Sequence, residues 1–157
     1  IRDRILRGNN DYWWNSLAKV RGALPEGMYA LQNDAFVFGD VAIAGSRGWT
    51  CPGSVGFDEA ADRPIYDREV IRMGLSLSGA PKDKLLLCMM HYPPFNERRQ
   101  PSGFTELFEQ HGAKHVAYGH LHGKACRNAF EGERNGIQYT LCSADHLEFK
   151  PKLIVAV

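Results

Sequence analysis

Four side chains able to bind a divalent cation sit in three short polar segments. Asn9 stands in Arg7–Trp14, "RGNNDYWW"; His91 opens His91–Phe95, "HYPPF"; His120 and His122 stand two apart in Gly119–Gly123, "GHLHG". Neutral imidazole is the commonest side-chain metal ligand near neutral pH. A nitrogen- and oxygen-rich set without thiolate suits manganese, iron, zinc or nickel. In a tight turn, Gly119 and Gly123 would let both imidazoles of the His-x-His pair point into one site; on a strand the two would share a face. Read singly, each segment also has a plain structural reading, as a turn or as a histidine satisfied within its loop. What joins them is shared placement, since each directly follows an apolar run that reads as a strand, and ligands collect at the carboxyl ends of strands in layered α/β folds.

Other candidates are weaker. Arg47 is the one arginine in Gly45–Gly56, a loop rich in glycine and serine; its guanidinium matches two phosphoryl oxygens at once, or it is a solvated loop arginine. His111 and His115 flank a helix-to-strand turn, and His146 lies in "SADHLEF"; all three read as structural. Gly8 permits a sharp turn, and Asp11 is placed to cap a helix beginning near Tyr12.

The elements that must position these residues follow from periodicity. Ile5–Arg7 reads as the end of a strand. Tyr12–Leu24 reads as a helix, with Trp13, Leu17, Val20 and Leu24 at near-helical spacing, stopped by Pro25–Gly27. Met28–Gln32 and Ala35–Phe38 read as a β-hairpin turning at Asn33-Asp34. Val41–Ala44 is an apolar strand. Arg63–Leu77 reads as a long helix with Pro64 in its first turn and Ile65, Val70, Met73 and Leu77 inward. Leu85–Met90, "LLLCMM", has the unbroken apolar run of a buried strand. A short helix over Phe104–Gln110, a strand over His115–Tyr118, and β runs over Ile137–Cys142 and Leu153–Val157 complete the pattern. Helices alternating with strands, then β at the end, predict α/β or α+β layers rather than a bundle, with α/β the leading expectation.

Composition narrows the function class. At 157 residues the chain is one domain by length. A net charge of +1 gives no electrostatic reason to expect nucleic acid or an anionic membrane as partner. No apolar run reaches bilayer-spanning length. Cys51, Cys88, Cys126 and Cys142 are scattered, without a Cys-x-x-Cys pair, which fits reduced thiols in the cytoplasm better than a disulfide framework. The sequence starts at Ile1 rather than Met, with the first motif already close, which suggests that earlier chain is missing.

In order and content, "GNND", the histidine of "HYPPF" and "GHLHG" resemble the last three sequence blocks of the calcineurin-like metallophosphoesterases; "YWW", "HYPPFNERR" and "YGHLHGKA" resemble a bacterial subgroup of predicted phosphoesterases. The resemblance implies a layered β-sandwich flanked by helices, here the C-terminal portion spanning residues 1–157 and lacking the first strands. It implies hydrolysis of a phosphomonoester or phosphodiester by a hydroxide between two metals about 3.5 Å apart. By motif, Asn9, His91 and His120 would bind the second metal and His122 the first. The other nitrogen of His91 would be oriented by an acceptor, and Arg47 would contact phosphate.

Two departures stand out. The family's Asp-x-His and Gly-Asp blocks, which supply further ligands, have no counterpart here. The family's "GNHD" is "GNND", so Asn10 falls where the family has its proton-donating histidine. A carboxamide donates a hydrogen bond but delivers no proton in the useful pH range. The alternative expectation is therefore a catalytically inactive binding or scaffold module that keeps the fold and uses Trp49 or Trp13-Trp14 for contacts. Missing strands would leave a sheet edge and apolar faces bare, so self-association, or pairing with a chain that supplies those strands, is expected.

Overall fold

The computed structural model describes residues 3–156. Its centre is a six-stranded mixed sheet in which β3 (Ala35–Phe38), β4 (Val41–Ser46), β5 (Leu85–Met90), β6 (His115–Tyr118), β8 (Ile137–Leu141) and β7 (Gly132–Arg134) lie side by side in that order. The four inner strands are parallel, and β3 and β7 close the edges antiparallel. Parallel strands need covered faces, and the burial of Ala42, Ala44, Leu86, Cys88, Val116 and Leu141 follows from that. Helices α2 (Arg63–Ser78) and α3 (Gly103–His111) carry the chain between parallel neighbours and bury Met73, Leu77, Phe104 and Phe108. The α/β class expected from the alternation is the one observed.

Helix α3 ends where its sequence dictates. The Ser102 hydroxyl accepts from the Phe104 and Thr105 amides, and Thr105 Oγ1 accepts from the Ser102 amide, a reciprocal capping box. Gly112, at φ 70°, takes the left-handed position that closes the helix.

The amino-terminal segment differs from expectation. The predicted hairpin does not form: β2 (Met28–Ala30) pairs in parallel with β1 (Asp3–Ile5), while β3 pairs with β4. The Asn33 turn is present, at φ 63°, but it joins strands of two different sheets. Helix α1 covers only Leu17–Ala23, not Tyr12–Leu24. Asp11 is not its cap: that carboxylate accepts from the Gly8 amide at 2.6 Å and the Trp13 indole at 3.1 Å, and its backbone carbonyl accepts from the Trp14 amide at 3.0 Å in a turn. Trp14, Val20 and Ala30 form a small core of their own, with Ile5, Leu17 and Leu24 against it. The Arg4 guanidinium lies 4.4 Å from the Tyr29 ring centre and 4.6 Å from that of Phe36, joining the small sheet to β3 by cation–π contact.

At the other end, Leu153–Ala156 form no strand; Lys150-Pro151-Lys152 precedes them, and proline cannot donate to a ladder. Val157 lies outside the described residues. The inward face of α2 holds Met73 and Leu77 as expected, with Val70 packed against the core, but Tyr66, Glu69 and Ser76 are buried too and Ile65 is only half-buried. No disulfide joins the four cysteines, and no helix among the described residues is long and apolar enough to cross a membrane.

Candidate metal centre

Loops leaving β4, β5 and β6 are laced in series by backbone hydrogen bonds. The Arg47 carbonyl accepts from the His91 and Tyr92 amides at 3.1 and 3.0 Å, and the His91 carbonyl accepts from the Gly119 amide at 3.1 Å. Each loop position is thereby fixed by its neighbour's. The loop leaving β1 reaches the same place through Gly8. A Cβ on Gly8 would lie 3.3 Å from both the His91 ring and the Asp11 carboxylate, so glycine there serves close approach rather than an unusual φ.

The result is a convergence of three donor atoms. His91 Nε2 lies 2.6 Å from Asn9 Oδ1 and 3.1 Å from His120 Nδ1. His120 has φ 71°, a left-handed conformation that costs a side-chain-bearing residue energy and turns its imidazole toward His91. The Tyr92 ring packs on its other side, with centroids 4.1 Å apart. Burial, then the neighbouring His120 charge, pushes His91 down to about 4; burial lowers His120 as well. Both rings are neutral near pH 7 and offer lone pairs, as metal ligands must. No described residue accepts from His91 Nδ1, so the expected orienting acceptor is absent; packing against Gly8 takes its place.

His122 does not join the triad. It is 70% exposed, and its Nδ1 lies 3.0 Å from Asp145 Oδ1, whose other oxygen accepts from the Gly123 amide at 2.8 Å. With Nδ1–H donated to Asp145, the Nε2 lone pair is left free, which is how carboxylates orient metal-binding histidines. Asn10 is exposed, with its carbonyl oxygen 3.5 Å from the Asn9 amide nitrogen.

Arg47 is not a solvated loop residue. Its Nη2 lies 3.2 Å from Glu69 Oε1, and its guanidinium sits 4.8 Å from the Trp49 ring centre. Glu69, 1% exposed on α2, also accepts from Ser46 Oγ at 2.6 Å and pairs with Arg72 at 2.7 Å. Burial lowers the Arg47 guanidinium below its ordinary value, and the Arg7 charge adds to this. Arg7 and Asp145 went unremarked in the sequence. Arg7 directly precedes the first motif, and its Nε is buried without a partner among the described residues, as is that of Arg47.

The three histidines assigned structural roles lie apart from the triad. His146 Nε2 is 3.1 Å from Glu131, His115 lies in β6, and His111 ends α3.

A carboxamide oxygen and two neutral imidazole nitrogens fit one divalent cation of the manganese-to-zinc series. Among the described residues no group of three or more His, Cys, Asp or Glu side chains converges, so the triad depends on Asn9. No family model matches the chain, and no match is found among curated proteins or solved structures.

Proposed function

We propose that this chain is a metallophosphoesterase domain in which Asn9, His91 and His120 hold a divalent cation and phosphate esters are the substrate. The observation that carries the reading is the meeting of Asn9 Oδ1, His91 Nε2 and His120 Nδ1 within 2.6–3.1 Å steps, from loops far apart in sequence. The parallel pair β1–β2 beside the main sheet supports the finer assignment, a layered sandwich of which β1–β2 belongs to the second layer.

A divalent cation at such a site supplies activation of water and neutralisation of phosphoryl charge. The chain's own residues do the rest. Asn9 and the two imidazoles fix position, and His122, oriented by Asp145, keeps its Nε2 lone pair available on the exposed loop that follows His120. Arg47, whose charge bears on His91 although it is paired with Glu69, places a guanidinium near the triad, where an anionic ester gains from it. Asn10 offers a hydrogen bond to a phosphoryl or leaving-group oxygen but no proton.

The test is elemental analysis of dialysed protein, followed by hydrolysis of 4-nitrophenyl phosphate and bis(4-nitrophenyl) phosphate with added manganese. About one tightly held metal per chain with measurable hydrolysis is expected. Protein that neither retains metal nor cleaves either ester overturns the reading. One observation favours the second reading, a binding module on the same fold: the residue that follows Asn9 is an exposed asparagine, Asn10, whose carboxamide supplies no proton. Retained metal without any turnover would select it.

A further inference from the structure

A cavity of about 310 Å³ opens directly beside the triad, with His120 and Tyr92 in its wall. Its remaining walls come from Thr50–Val55, from the loop after β5 and from the turn over Gly123–Asn128 with the residues that follow it. We propose that this cavity is the subsite for the alcohol part of the ester and that it takes one flat, uncharged aromatic ring. The inference rests on the phosphate-ester reading above.

Three features specify the ligand class. First, the walls are aromatic and fixed. Phe95 and Phe130 pack with centroids 5.1 Å apart, both against Tyr139, and Tyr118 donates its hydroxyl to the Phe130 carbonyl at 2.6 Å. A planar group entering between Tyr92, Phe95 and Phe130 meets ring faces and edges already held in place, which favours stacking.

Second, the polar groups in the wall are partly committed. The Asn96 carboxamide donates to Pro52 and Gln100 and accepts from the Arg98 and Gln100 amides. The hydroxyls of Thr50, Ser54 and Tyr92 and the Asn128 carboxamide make no hydrogen bond to a described residue, leaving partners for polar substituents on the ring. No lysine or arginine lines the cavity, whereas Glu97 does, so a second anionic group on the alcohol is disfavoured.

Third, the size is small. Ligand sites run from about 300 to 1,000 Å³, and this one holds a single ring system rather than an oligomer. Because His120 belongs both to the triad and to the wall, a phosphoryl group at the triad would direct its ester oxygen toward the cavity.

Calorimetric titration of the manganese-loaded chain with phenyl phosphate and methyl phosphate reads the subsite. Phenyl phosphate should bind ~10-fold tighter or better, the gain from burying one ring. Ala125→Trp, on the exposed turn that forms one wall, should bring the ratio toward one, and Ala129→Phe should do so from a neighbouring position. Equal affinities in the unsubstituted chain overturn the subsite. If neither ester binds, the phosphate-ester reading fails by itself, and NMR titration with phenol then judges the cavity alone. Shifts at Phe95, Tyr118 and Phe130 keep it as an aromatic-ring site, and unchanged spectra overturn it.

Discussion

His91 Nε2 lies 2.6 Å from Asn9 Oδ1, although 82 positions separate the two residues in the chain. Nothing local requires this meeting: Asn9 arrives from the small parallel sheet and His91 from the centre of the large one. Two donor atoms of different elements brought so close, with His120 Nδ1 at 3.1 Å from the imidazole, make a preformed set of ligands. Replacing Asn9 or His91 by alanine should therefore weaken zinc or manganese binding by at least ~10-fold, the low end of what disturbing a metal site costs. Titration calorimetry on the two variants checks this, and affinities equal to the unsubstituted chain would remove the metal centre.

Gly8→Ala tests the same relationship from the backbone. The added methyl would stand 3.3 Å from the His91 ring and from Asp11 Oδ2, tighter than such contacts usually are. The ring must yield by a few tenths of an ångström, since the Gly8 amide is held to Asp11. Weakened cation affinity with little change in the unfolding midpoint is expected. A large loss of stability with affinity intact would assign Gly8 to folding instead.

The sheet and its helices were largely legible in the sequence because their signals are local. "LLLCMM" reads as a buried strand wherever it is placed, and Pro64 marks the first turn of α2. The errors lie where a pairing partner is distant. Met28–Gln32 looked like half of a hairpin because Asn33-Asp34 is a good turn, but β2 spends its hydrogen bonds on β1, with the Leu31 amide donating to the Ile5 carbonyl at 2.8 Å. The face of α2 was legible only in part, for a different reason. Its buried side includes Glu69 and Ser76, which an apolar pattern counts as solvent positions, yet both are satisfied by β4 and its loop. In the site, motif residues were visible by type and order, whereas Asp145 was not. Its role exists only because the turn after β8 folds back against His122.

Glu69 is buried at 1% exposure and holds Ser46, Arg47 and Arg72 together. Breaking one side of a buried pair leaves an uncompensated charge, so Glu69→Ala should cost about 3 kcal/mol or more of stability. Glu69→Gln keeps the volume and the Ser46 contact and should cost less. Chemical denaturation of both variants decides it; a loss below ~0.5 kcal/mol for the alanine variant would show that the network contributes no more than a surface pair.

Thiol chemistry gives an independent probe of the core. Burial pushes the Cys51 thiol up to about 12 and raises Cys88 as well, and the thiolate is the reactive form. A group raised this far stays protonated across pH 7–9. With iodoacetamide, labelling in the native chain should fall on Cys126, then Cys142, rising with pH over that window, while Cys51 and Cys88 react only in denaturant. Peptide mass spectrometry reads the four sites separately. Native-state labelling of Cys88, on a central strand, would contradict the packing of β5.

Asn10→His separates a damaged enzyme from a binding module. Asn10 is exposed, and its side chain makes one long contact, to Asn9 at 3.5 Å, so an imidazole fits without disturbing the fold. If the triad positions a phosphate ester beside it, the new histidine supplies a proton to the departing alkoxide, a contribution of ~10²–10⁴ in rate. The gain should depend on the leaving group. An alkyl phosphate, whose alkoxide leaves poorly, should improve far more than 4-nitrophenyl phosphate, whose phenolate leaves unaided. Manganese content per chain must stay the same in both proteins, so that the comparison reads proton donation rather than cation loading. A variant with unchanged metal content and no gain on either ester would mean that no substrate phosphoryl group reaches this position, and the binding-module reading would then account for the fold.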